Sequence, residues 1–66
     1  MDERIVEVGK TIKYRGELYR SGRMSKWRWR IVASNGRIVE ASSQGFVRKG
    51  YAREKLLASF EKYKVT

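Results

Sequence analysis

Lys26-Trp27-Arg28-Trp29-Arg30-Ile31-Val32-Ala33 runs into Ser34-Asn35-Gly36 and then Arg37-Ile38-Val39-Glu40-Ala41, and the reading of this stretch decides the fold. Aromatic and β-branched residues alternate with arginines, which is the two-residue period of a strand. Trp27, Trp29, Ile31 and Ala33 share one side, while Arg28, Arg30 and Val32 take the other. Ser34-Asn35-Gly36 turns the chain. Asn-Gly invites a two-residue loop, which sets Ile31 opposite Glu40 and Trp29 opposite Ser42 and wastes the core side. A three-residue loop with Gly36 left-handed pairs Ile31 with Val39, Trp29 with Ala41 and Arg30 with Glu40. That register gives an apolar inner face and a charge-matched outer one, and it is the expected arrangement.

Upstream, the even positions Val6, Val8, Lys10, Ile12, Tyr14, Gly16 and Leu18 also alternate with charged or small residues. Gly9 and Gly16 interrupt the run, so separate extended pieces are expected: a weak strand near Arg4 to Val8 and a firmer one within Ile12 to Arg20. Residues 1–13 form either an extra strand or a flexible arm. Ser21-Gly22-Arg23-Met24-Ser25 reads as a hairpin loop. Downstream, Ser42-Ser43-Gln44-Gly45 breaks the sheet, and from about Gly50 the period becomes helical. Ala52, Leu56, Ser59, Phe60 and Tyr63 fall in one arc, with Glu54, Ala58 and Glu61 opposite. Lys62 and Lys64 suit the negative end of the helix dipole, whereas Arg48 and Lys49 sit where acidic residues belong. The predicted fold is α+β: a three- or four-stranded antiparallel sheet packed against one C-terminal helix, in a single domain spanning 1–66.

A chain of 66 residues holds a thin core, because only about 60% of the unfolded surface is buried at this size. Neither Cys nor His occurs, which removes disulfides, thiolates, imidazole bases and the usual zinc ligands. No apolar run approaches the roughly 18 residues that span a bilayer, and Met1-Asp2-Glu3-Arg4 lacks a signal-peptide pattern. The expectation is an intracellular, cytoplasmic protein without a membrane partner. Sixteen Lys and Arg against seven Asp and Glu give a net charge of +9, which implies an acidic partner. Nucleic acid is the commonest such partner for small basic domains, since neutralising phosphates releases counterions whatever the sequence bound.

Arg28 and Arg30 project from one side of the central strand, and Arg20, Arg23, Lys26 and Arg37 fall along its ends and loops. These six are the candidate nucleic-acid-binding residues, double-stranded DNA being the expected ligand, because arginine can track phosphates and fork onto guanine edges. Trp29 and Trp27 are read as core residues and Tyr19 as the exposed aromatic. The carboxylates form no acid/base pair and there is no cofactor loop, so neither an enzyme nor a cofactor or metal site is expected. Gly9-Lys10-Thr11 resembles the end of a phosphate-binding loop, but Arg4 stands where that motif needs glycine. The rival reading, from another class, is a protein-interaction module docking on an acidic protein surface.

The stretch from Trp27 to Val39, followed by Ser42-Ser43-Gln44-Gly45-Phe46 and a helix, resembles the YegP-like domains of unknown function. That resemblance covers roughly Glu17 to Phe60. It implies a three-stranded antiparallel sheet on one helix, completed by a tandem copy or a homodimer. The chain departs from the family pattern at Arg48, where a small polar residue is common, and in its large positive charge. At the level of fold alone it is also similar to three-stranded-sheet DNA binders of the ethylene-response-factor and integrase arm-binding types, whose open sheet face enters the major groove.

Overall fold

The computed structural model describes residues 5–21 and 26–64. Strands β1 (Ile5–Lys10), β2 (Tyr14–Ser21), β3 (Lys26–Ala33) and β4 (Ile38–Ala41) precede helix α1 (Lys49–Lys64). The strands form one sheet in the order β1-β2-β3-β4, each pair antiparallel, and the helix packs on one side of it. This is the α+β fold that the alternation and the helical arc imply, with four strands. Arg4 and the segment 22–25, which includes Arg23 and most of the expected hairpin loop, lie outside the described residues. No helix among the described residues is long and apolar enough to cross a membrane.

Alternation divides the sheet into a helix-facing side and an open side. Leu18 pairs with Trp29 and Gly16 with Ile31 on the covered side, while Tyr19 pairs with Arg28 and Glu17 with Arg30 on the other. Leu18, Trp29 and Ile31 are buried against Ala52, Leu56 and Phe60 of α1, with Val6, Val8, Tyr14, Trp27, Phe46 and Tyr63 packed around them. Burying a side chain such as Leu56 or Phe60 contributes about 1.5–3 kcal/mol. The helix faces the sheet with the arc expected of it, and Ser59 and Tyr63 sit half-buried at its margin.

Gly9 and Gly16 do not break the strands. They pair with each other inside β1 and β2, and a Cβ at either position would come within 3.1 Å of Phe60 or Leu56 respectively. The two glycines make a bare patch on which the helix side chains sit. β1 therefore runs two residues past Val8, and residues 5–10 are a strand and not an arm. The β1–β2 register shifts between Glu7 and Gly9, leaving Val8 without an opposing residue. The shift sets Lys10 opposite Arg15 on the open side, where simple even-position counting placed it with the core. Ile12 also leaves the expected face: it is 96% exposed in the β1–β2 connection, where the Thr11 hydroxyl oxygen accepts a hydrogen bond from the Tyr14 amide at 3.0 Å.

The β3–β4 turn has the expected three-residue loop, but the register beyond it does not hold. The Ala33 amide donates to the Arg37 carbonyl and the Gly36 amide to the Ala33 carbonyl, both at 2.8 Å, and Gly36 has φ +89°. Val32 lies opposite Ile38 as the loop requires. A bulge then intervenes, so Ile31 faces Glu40 and Arg30 faces Ala41, and the Ser42 amide donates to the Trp29 carbonyl at 2.9 Å. The extra residue is Val39, left 41% exposed. The physical reason is on the helix: the bulge turns Glu40 to the covered side, where its carboxylate accepts from Tyr63 Oη at 2.9 Å and pairs with Lys62 Nζ at 3.2 Å. These polar contacts, formed only once the helix is in place, outweigh the apolar match of Ile31 with Val39.

Candidate nucleic-acid interface

Lys26, Arg28 and Arg30 of β3 lie on the open side with Arg15, Glu17 and Tyr19 of β2. Their charges are not equivalent. Glu17, only 8% exposed, accepts from Arg15 Nε at 2.7 Å and from Arg30 Nε at 2.8 Å. Burial pushes the Glu17 carboxyl upward, but the hydrogen bonds and charges of the two arginines outweigh it and hold the group below its ordinary value. The Arg30 guanidinium also lies 4.6 Å from the centre of the Tyr19 ring. Arg30, one of the six candidate contact residues, is thus also a partner of Glu17 at the centre of the sheet. Tyr19 is likewise half-buried beneath Arg30 and not a bare platform.

Among the described residues Arg20, Lys26, Arg28 and Arg37 have no carboxylate at salt-bridge distance. Lys26 and Arg28 stand on the open side near the start of β3. Arg20 pairs across the ladder with Trp27 and so belongs to the helix side, with its guanidinium 5.6 Å from the Trp27 ring centre. Arg37 is exposed beside the Gly36 turn at the opposite end of β3. The structure therefore gathers Arg20, Lys26 and Arg28 at one end of the β2–β3 ladder, separates Arg37 from them, and leaves Arg23 outside the described residues.

Lys49 joins this group, and sequence reasoning missed it. The chain returns along β3 after β4: the Trp27 amide donates to the Phe46 carbonyl and the Phe46 amide to the Trp27 carbonyl, each at 2.7 Å. Phe46 packs edge-on against Tyr51 with ring centres 5.2 Å apart, which sets the start of the helix beside β3. Lys49 Nζ then comes 5.3 Å from the Trp27 ring centre. The available signal was Ser42-Ser43-Gln44-Gly45-Phe46 leading into a helix, but nothing local says that Phe46 pairs with Trp27.

A groove of about 400 Å³ lies between the end of β4 and the helix, with Trp29, Phe46 and Tyr51 on its apolar side and Glu40, Lys55 and Ser59 on its polar side. Glu40 is engaged there. Burial raises its carboxyl, and the bonds from Tyr63, Lys62 and Ser59 together bring it below its ordinary value. The Tyr63 hydroxyl is pushed up by the hydrogen bond to Glu40 and by burial.

No protein-family model, curated protein or solved structure significantly matches the chain. The expectation of a homodimer rests on the YegP-like resemblance and on the open edges of the sheet. Both edge strands, β1 and β4, carry register shifts, a feature that hinders edge-to-edge pairing.

Proposed function

We propose that the protein binds nucleic acid, duplex DNA in particular, through the cationic surface of β2 and β3. The observation that carries this reading is the position of Lys26 and Arg28 on the uncovered side of the sheet with no carboxylate partner among the described residues, in a chain of net charge +9. Unneutralised cations on a strand surface gain from phosphate by counterion release. Arginine can in addition read guanine edges when a strand pair enters the major groove.

Titration of labelled duplex, single-stranded DNA and RNA at several salt concentrations tests the proposal. A footprint of about four to six phosphates implies a log–log salt slope near −4 to −5 for duplex. Replacing Lys26 and Arg28 together with Glu nearly abolishes binding, whereas Lys62→Glu with Lys64→Glu on the helix weakens it only through the general field. Arg30 is left in place because its loss would strand Glu17. Equal losses from the two reversals would reduce the protein to a diffuse polycation and sink the assignment.

A second reading, docking on an acidic protein surface, draws support from Ile5 and Ile38, which are 52% and 54% exposed on the same sheet side. Excess generic DNA discriminates between the two: it displaces nucleic acid and leaves a protein partner bound.

A further inference from the structure

Resting on that reading, we infer that the duplex is engaged by the end of the β2–β3 ladder from both of its sides, with Arg20 and Lys49 forming a second phosphate-contacting wall behind Trp27. The centre of the open sheet face is poorly suited to be the main contact. Its arginines, Arg15 and Arg30, are already held by Glu17 at 2.7 and 2.8 Å. Arg20, Lys26, Arg28 and Lys49, four of the described cations with no described carboxylate at salt-bridge distance, stand at the ladder end instead.

They collect there on opposite sides. Strand alternation sends Lys26 and Arg28 to the uncovered side and Arg20, with its partner Trp27, to the helix side. The Phe46–Trp27 bridge and the start of α1 then deliver Lys49 to the same ring as Arg20, at 5.3 and 5.6 Å from its centre. Two cations converge on one half-buried tryptophan, and neither has a carboxylate at salt-bridge distance among the described residues. The ring attracts each of them, and a phosphate near either one would supply the anion that no described carboxylate provides.

The partner that fits cations on both sides of a two-stranded ribbon is a duplex. The major groove is about 12 Å wide, admits such a ribbon, and carries a phosphate backbone along each wall. Lys26 and Arg28 then meet one backbone while Arg20 and Lys49 meet the other. A sheet laid flat on the duplex offers the first pair to phosphate and leaves out the helix-side pair. The two docking modes therefore differ in whether the helix-side pair contributes to the ionic footprint.

Fluorescence anisotropy of a short labelled duplex, repeated over a range of salt, tests the inference with neutralising variants. Arg20→Gln with Lys49→Gln lowers the magnitude of the salt slope by about 2, one for each phosphate no longer neutralised, as Lys26→Gln with Arg28→Gln also does. Lys62→Gln with Lys64→Gln leaves the slope unchanged. Lys49→Arg keeps the slope of the unsubstituted protein, which separates loss of charge from disturbance of the Trp27 packing. An unchanged slope for Arg20→Gln with Lys49→Gln, alongside a reduced one for Lys26→Gln with Arg28→Gln, overturns the two-sided mode and leaves flat docking. Absence of duplex binding by the unsubstituted chain overturns the nucleic-acid reading itself, and this inference with it.

Discussion

The Glu40 carboxylate accepts a hydrogen bond from the Tyr63 hydroxyl at 2.9 Å, joining the short strand β4 to the last turns of α1 across 23 residues of sequence. The same carboxylate pairs with Lys62 at 3.2 Å. It can do so only because the Val39 bulge rotates it to the helix side. Tyr63→Phe removes one bond to an ionised acceptor while keeping the ring that packs 4.8 Å from Tyr14. The expected loss is about 1–2 kcal/mol of unfolding free energy in a urea titration. A loss below about 0.3 kcal/mol would show that the bond does not hold the bulged register.

Glu17 and Glu40 give the protein a defined acid limit. Both carboxyls are held below their ordinary value of 4.5, so each contributes stability that is fully present above that value and is lost as pH falls through the lowered one. Tyr63 works in the opposite direction. Its hydroxyl is raised above 10.0, so its contribution is present below 10 and disappears as pH climbs past it. Thermal melts should show a plateau between these limits, a fall below about pH 4.5 and another above about pH 10. Glu17→Gln flattens the acid side, and an acid limb unaffected by that change would assign the loss to other groups.

Trp29 and Arg30 are neighbours with opposite roles, and both substitutions are expected to hurt. Trp29→Ala opens a cavity among Leu18, Ile31, Leu56 and Phe60 and costs about 3–5 kcal/mol, enough to unfold so small a domain. From the strand pattern alone Arg30→Ala looks nearly neutral, as a surface arginine would be. With Glu17 buried beneath it, the substitution leaves a carboxylate with half its partners, and the expected loss is about 1–3 kcal/mol. Denaturant midpoints of the two variants decide the matter: an Arg30→Ala loss well under 1 kcal/mol would mean that Arg15 alone satisfies Glu17.

Two glycine substitutions should change stability with opposite signs. Gly50 lies in the first turn of α1, and a Cβ there meets nothing within 4 Å. Gly50→Ala is expected to stabilise by about 0.4–1 kcal/mol through the unfolded chain and helix propensity. A Cβ on Gly45 would stand 2.7 Å from the Lys26 Cβ, which is closer than such atoms approach. Gly45→Ala must therefore strain the Phe46–Trp27 bridge beside it and lower the melting temperature, and a higher melting temperature for this variant would rule out that packing.

Much of this architecture is readable in the chain as written. The two-residue period of Trp27 to Val32 and the helical arc of Ala52, Leu56 and Phe60 assign each element its type and its buried side, because those periods are properties of the backbone itself. Gly36 announces its turn for a similarly local reason, since an unstrained left-handed residue is needed there. The net charge of +9 requires only counting. Tertiary structure decided what those elements do to one another. The bulges at Val8 and Val39 depend on where the helix places Phe60, Tyr63 and Lys62. The capture of Arg30 by Glu17 depends on the β2–β3 register, and the arrival of Lys49 beside Trp27 depends on a bridge between residues 19 positions apart. Which arginines remain available to a ligand is settled by such long-range pairings, whose energies exist only after the chain has folded, and strand periodicity carries no trace of them.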